Sequence, residues 1–316
     1  MEYNLEILPR DEKIEEKRQK QIVKNPKGCL VLVHGICHGA WCWDNFITFF
    51  AGQGYQCYAV SLRGHAGSEG REQLSQFRLS DYVDDVKAAI KTAQEDMEKY
   101  PHLEGVKPFL LGHSMGGAVV QQYIGKYAHT VQGAVLFAPA TAPHMSLKDV
   151  LRFFPLNLSF ASLISLLGWN CKFLVHNASF FIGENEAGKR CQRVDDTSPY
   201  QKLLQKESKK VTGYFSFRIP PFQQGDLTRP YSEHYKVKIP VFVIGSYADL
   251  YFPEASLKKT ADAYAQNELT ALVRLKYLCH DMMLDRDWRN AAQPVLEFVE
   301  NPLEFVQKHR HNPSAC

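Results

Sequence analysis

Gly112-His113-Ser114-Met115-Gly116 lies between the apolar run Pro108 to Leu111 and a helical pattern that begins at Ala118. A Gly-x-Ser-x-Gly stretch in that setting makes a strained strand-to-helix turn, which lifts a serine hydroxyl above the edge of a sheet. Glycine on both flanks leaves room for the tight turn and for close approach of the helix to neighbouring strands. Gly117 extends that tolerance by one position.

Outward from this turn, apolar runs alternate with helical patterns. Cys29-Leu30-Val31-Leu32-Val33, preceded by Gly28 and bounded by Gly35, is continuously apolar, as expected of a strand buried on both faces. A second run spans Gln56 to Leu62. Trp43 to Gly54 between them reads as a helix, so the three segments have the spacing of a right-handed crossover. A helix is expected over Ser80 to Tyr100, with Ser80 as its N-cap and Val83, Val86, Ala89, Ile90 and Ala93 on its apolar side. Helix Ala118 to His129 and strand Val131 to Phe137 follow the serine turn.

From Thr141 to about Lys236 that rhythm is absent, and the chain is aromatic and interrupted by proline. It resumes with a strand at Pro240 to Gly245, a helix at Pro253 to Tyr264, a strand at Leu272 to Leu278 and a final helix at Arg286 to His309. The expected architecture is α/β, a mostly parallel, doubly wound sheet with an inserted, mainly helical cap. Its core would comprise residues 28–140 and 237–312, the cap residues 141–236, and a charged arm residues 1–27.

Composition narrows the function classes. The 316 residues suffice for a sizeable core, and 22% charged residues with a net charge of +3 leave no dense lysine and arginine stripe, so nucleic acid is not an expected partner. Met1 to Lys20 carry both signs and no apolar run of signal-peptide length, from which a reducing, cytoplasmic location is expected. The eight cysteines contain no CxxC pair and read as free thiols, with Cys29, Cys57 and Cys279 in or beside apolar strand patterns. The histidines are dispersed along the chain, so neither metal nor cofactor is expected. Nothing in the sequence fixes an oligomeric state.

A serine hydroxyl is a poor nucleophile near neutral pH, so Ser114 needs a base within hydrogen-bond reach and a third group to orient that base. His280 follows the last expected strand and Asp249 the preceding one. Loops after parallel strands share one sheet edge, where Ser114 also projects. Asp226 and Asp262 are weaker candidates, the first within the insertion and the second inside a helical pattern. Acyl transfer also needs backbone N–H groups aimed at the developing oxyanion. His34-Gly35-Ile36 follows a strand end, so the amides of Ile36 and Met115 could converge near Ser114. His34 and His113 suit structural roles.

With these residues in place, the chain resembles an α/β-hydrolase from Gly28 to about His309. Leu62-Arg63-Gly64-His65-Ala66-Gly67-Ser68 resembles the RGHGxS loop, and Phe109-Leu110-Leu111 before the serine turn resembles lysophospholipases and monoacylglycerol lipases. His34 to Trp43 is instead similar to the plant methylesterase and hydroxynitrile lyase branch, except that Asp281 stands where the lyases have lysine. The resemblance implies Ser114 as nucleophile, His280 as base, Asp249 as its orienter, and Ile36 with Met115 as oxyanion donors. It implies a carboxylic ester hydrolase acting on a small ester or lipid. A hydrolase-like ligand receptor with slow turnover, and an acyltransferase or perhydrolase on the same triad, are the alternatives.

The insertion is rich in Phe153, Phe154, Leu158, Phe160, Leu163, Leu166, Leu167, Phe173, Phe180 and Phe181, which would suit an apolar acyl group or simply hold the cap to the core. Leu158 to Trp169 is too short to span a bilayer, but it could make transient contact with a membrane surface.

Overall fold

A computed structural model describes residues 6–8, 23–140, 180–196, 198–214, 236–252, 254–264 and 266–311. In chain order these form β1 (Glu6–Leu8), β2 (Gly28–Val33), α1 (Asp44–Gly52), β3 (Tyr55–Ser61), α2 (Leu79–Met97), β4 (Phe109–His113), α3 (Met115–Tyr127) and β5 (Gly133–Phe137). There follow β6 (Ile182–Glu184), β7 (Arg190–Gln192), α4 (Pro199–Tyr214), β8 (Val241–Ser246), α5 (Glu254–Ala263), β9 (Thr270–Leu275), α6 (Arg289–Glu300) and α7 (Pro302–His309). The main sheet runs β1-β3-β2-β4-β5-β8-β9. The six strands from β3 to β9 are parallel, and β1 joins the edge antiparallel to β3.

The apolar runs explain this layering directly. All six residues of β2 are buried, yet they serve two cores: Leu30 and Leu32 pack on one face, Cys29, Val31 and Val33 on the other. Because side chains alternate along a strand, a run without polar positions must be covered on both sides. On the first face lie Phe46, Ile47 and Phe50 of α1, Val295, Phe298 and Val299 of α6, and Phe305 of α7. On the second lie Val83, Val86 and Ile90 of α2, Val119, Val120 and Tyr123 of α3, and Leu257 of α5. The doubly wound α/β architecture read from the sequence is the one present.

Several boundaries differ from the sequence reading, each for a physical reason. The helix expected from Ser80 is capped at Arg78, whose N–H donates to Asp81 at 2.6 Å, so Ser80 sits within the first turn. The single helix expected over Arg286 to His309 is two, because Pro302 lacks an N–H and forces Asn301 out of helical geometry, to φ −146° and ψ 70°. α3 starts at Met115, the two glycines after it having hidden its first turn. The short β1 lies within what read as an arm alone, and the charged segment Asp11 to Gln21 lies outside the described residues.

The insertion is described only at 180–196, 198–214 and residue 236. There it contains an antiparallel hairpin, β6 with β7, as well as the helix α4. Its apolar segment from Phe153 to Phe173, including Leu158 to Trp169, lies outside the described residues, as does Asp226. Among the described residues no helix is long and apolar enough to cross a membrane.

Candidate active site

Ser114 stands between β4 and α3 with φ 53° and ψ −119°, a backbone state that L-residues adopt only when their surroundings impose it. Those surroundings are hydrogen bonds. Its N–H donates to the Phe137 carbonyl at 3.1 Å, and its carbonyl accepts from Gly117 and Ala140, both at 2.9 Å. The flanking glycines are sterically required: a Cβ on Gly112 would lie 2.4 Å from the Gly116 oxygen, and one on Gly116 would lie 2.5 Å from the Val33 oxygen.

His280 and Asp249 come from the loops after β9 and β8, and the Nδ1–H of His280 donates to Asp249 Oδ2 at 2.8 Å. The other oxygen of Asp249 accepts from the amides of Tyr251 (2.7 Å) and Phe252 (3.0 Å), so the carboxylate is held at both ends. His280 Nε2 is buried and has no hydrogen-bond partner among the described residues. The His280 ring lies 4.7 Å from that of His113, the residue before Ser114, and His113 Nε2 donates to the His280 carbonyl at 3.2 Å. Burial opposes charge on His280, but the Asp249 carboxylate offsets this by charge and hydrogen bond, with Asp281 adding to it. The net effect holds His280 above the ordinary histidine value of 6.5.

The loop after β2 closes on the same point. A Cβ on Gly35 would sit 2.8 Å from Ser114 Cβ, so the absence of a side chain there is what lets the backbone at Gly35 pass close to the serine. The amides of Ile36 and Met115 make no hydrogen bond to other described residues, and Met115 is the first residue of α3, where helix geometry leaves N–H groups unpaired.

Among the weaker acids, Asp262 is engaged elsewhere, with His311 at 2.7 Å and Lys258 at 3.6 Å. Two buried ionic contacts that the sequence did not disclose hold the rim of the site. Arg193, just after β7, pairs with Asp285 at 3.0 Å, and Asp285 accepts the amide of Cys279, next to His280, at 2.9 Å. Glu207 of α4 accepts the Ala66 amide at 2.9 Å and pairs with Arg71 at 3.1 Å, tying the insertion to the loop after β3. Phe180 and Phe181 are buried in the core beside His280, with the Phe180 ring 5.6 Å from the imidazole.

His113, His280 and Asp281 are the three metal-capable side chains that lie together among the described residues, their donor atoms within 4.8 Å of one another. Each already engages one donor atom, His280 Nδ1 with Asp249, Asp281 Oδ2 with His38 Nε2 at 2.9 Å and His113 Nε2 with a carbonyl, while His280 Nε2, His113 Nδ1 and Asp281 Oδ1 have no hydrogen-bond partner among the described residues. The six described cysteines are free. Burial pushes the thiols of Cys29 and Cys37 up to about 12, so neither supplies a thiolate near neutral pH.

Three further histidines are held neutral. His34 donates from Nδ1 to the Gly35 carbonyl and accepts the Leu62 amide at Nε2, an arrangement that protonation would break. Burial depresses His34 and His113 well below the ordinary value and His65 to about 4. A depressed histidine contributes stability that is complete above its unfolded value of about 6.5 and is lost as pH falls toward the folded value. His280 acts oppositely, being stabilising below that pH, but it is one group against three. The melting temperature is therefore expected to fall from about pH 6.5 to 5.5, above the range where most carboxylates titrate; a flat profile over that window would contradict buried neutral imidazoles.

Residues 24–287 match the family model described as serine aminopeptidase, S33. The chain belongs to that family. Among curated relatives it is 32% identical over 127 residues to a monoacylglycerol lipase of Mycolicibacterium smegmatis, a match covering 40% of this chain and 43% of the relative. It is 30% identical over 128 residues to methyl jasmonate esterase 1 of Vitis vinifera, covering 40% of this chain and 42% of that one. These matches span less than half the length of either relative. Among solved structures, the monoacylglycerol lipase of Paleococcus ferrophilus superposes with a TM-score of 0.63 at 17% identity, covering 96% of this chain and 100% of the other. At that identity the likeness establishes the α/β-hydrolase fold that this S33 family chain shares.

Proposed function

We propose that this chain is a carboxylic ester hydrolase that works through an acyl-enzyme. In this reading Ser114 attacks the ester carbonyl while His280 Nε2 takes its proton. Asp249 fixes the imidazole so that Nε2 is the free base, and the amides of Ile36 and Met115 receive the oxyanion. His280 then protonates the departing alkoxide, and water repeats the sequence to release the acid. The substrate is a small-molecule ester or lipid, with an apolar acyl group suited to the aromatic side chains beside His280. Residues 141–236 act as a cap over the core of 28–140 and 237–312, and the free thiols fit the cytoplasm.

The observation that carries this reading is the His280–Asp249 hydrogen bond with Nε2 left without a partner, beside a serine in a strained turn. Apo sites often tighten the serine–histidine contact only when substrate binds. The named relatives differ in alcohol and acid yet share an ester bond, which favours esters over the peptide bonds of the family's description. A fluorophosphonate probe is expected to label Ser114, and p-nitrophenyl esters are expected to be cleaved faster than amino-acid p-nitroanilides. Absence of labelling together with absence of ester turnover would remove the proposal; faster anilide cleavage would move it to peptides.

A further inference from the structure

His38 lies in the loop after β2, two residues beyond the proposed oxyanion donor Ile36, and both its ring nitrogens face oxygen. Nδ1 is 2.6 Å from the Ile36 carbonyl, and Nε2 is 2.9 Å from Oδ2 of Asp281, the residue after His280. Both side chains are buried, His38 with 1% and Asp281 with 0% exposure. Nδ1 donates to the Ile36 carbonyl and Nε2 faces the Asp281 carboxylate, so the imidazole is held at its two ends. Its faces are clamped as well. The Trp41 ring stacks on it at 5.4 Å, and Tyr200 of α4 stacks on Trp41 at 6.3 Å.

The topology gives this contact its meaning. β2 and β9 have β4, β5 and β8 between them in the sheet, so within the sheet the oxyanion loop and the base loop are separated by three strands. The His38–Asp281 bond joins the two loops directly, over a span of 243 residues in sequence. Asp281 is itself fixed: its N–H donates to Phe180 at 3.2 Å and its carbonyl accepts from Leu284 at 2.8 Å.

We propose that His38 and Asp281 are positioning residues that form a strut, setting the Ile36 amide and the His280 imidazole at the separation one reacting carbonyl requires. The inference rests on the serine mechanism proposed above. Misplacement of a reacting group by about 1 Å costs on the order of a hundred-fold in rate, and the donor and the base come from different loops. The strut therefore acts on turnover rather than on substrate binding.

Two conservative substitutions separate the strut from a merely structural role and from the charge of Asp281. His38→Asn retains a donor placed like Nδ1, for Ile36, and drops the link to Asp281. Asp281→Asn retains the link, since its amide NH2 can donate to Nε2 of the neutral ring while Nδ1 still donates to Ile36. With rates normalised to the fraction of chains that fluorophosphonate labels at completion, His38→Asn is expected to lower kcat for a p-nitrophenyl ester about a hundred-fold with little change in KM. Asp281→Asn is expected to keep most of the wild-type kcat. Asp281→Ala breaks the same link from the other side and should match His38→Asn, which keeps the test decisive if one of the two folds poorly. Wild-type kcat in the link-breaking variants overturns the strut, and so does an Asp281→Asn variant as slow as Asp281→Ala. If Ser114→Ala retains ester turnover, the serine mechanism fails instead, and the two failures are distinguishable.

Discussion

Ser114→Ala is expected to lower turnover of a p-nitrophenyl ester by about a million-fold, by analogy with other serine triads, and to abolish fluorophosphonate labelling. The argument runs through the backbone as well as the hydroxyl. With φ at 53°, residue 114 occupies a conformation that costs an L-residue about 1–3 kcal/mol, and alanine inherits that strain because it has a Cβ too. The melting temperature of Ser114→Ala should therefore stay close to wild type. Ser114→Gly removes both the hydroxyl and the strain, so it should be equally inactive but more stable, by about 1 kcal/mol. Hydrogen bonds to Phe137, Gly117 and Ala140 hold the turn in either variant. A stabilised, inactive Ser114→Gly would mark strain kept for function. A Ser114→Ala variant with wild-type ester turnover would show that the hydrolysis takes place elsewhere.

The elements most legible in the sequence are those whose burial leaves no polar position. β2, β4, β5 and β8 are buried at every residue, and each appears in the sequence as an apolar run, ended in β4 by His113 and in β8 by Ser246. Ser114 and Asp249 could be picked out because each follows such a run and His280 because it follows the half-exposed strand β9, since parallel strands deliver their following loops to one edge. What stayed hidden depends on partners distant in sequence. β1 is three residues long and is defined by its pairing with β3, not by its own pattern. The His38–Asp281 and Arg193–Asp285 contacts join loops far apart in sequence, the first across three intervening strands and the second between two separate sheets. One signal was present: Asp281 sits between Leu278-Cys279 and Met282-Met283-Leu284, and a carboxylate within so apolar a stretch must be paired if it is buried.

The buried histidines make the same point about chemistry. His34, His113 and His280 share nearly complete burial, yet burial, with neighbouring histidines adding to it, depresses the first two, whereas carboxylates raise the third. Desolvation penalises every imidazolium alike, so the ring that can hold a proton near neutral pH is the one facing Asp249 at 2.8 Å, with Asp281 beside it. The proposed base is thus distinguished from these two histidines by its partners and not by its depth.

Asp249→Asn tests that distinction in two independent readouts. The carbonyl oxygen of the substituted side chain can keep accepting from the Tyr251 and Phe252 amides, which turns its NH2 group toward His280 Nδ1. Nδ1 must then accept, the proton moves to Nε2, and the ring can no longer take the serine proton; the expected loss in kcat is about ten-thousand-fold, as for the same change in other triads. The acid limb of the pH–rate profile should move as well. In the wild type kcat/KM should rise with pH through a value above 6.5, because activity requires the neutral ring and Asp249 favours the charged one. Without that carboxylate, burial becomes the dominant influence and the limb should shift to lower pH. A large rate loss with the limb unmoved would mean that Asp249 orients His280 without governing its charge. A small rate loss would mean that another acid orients the base.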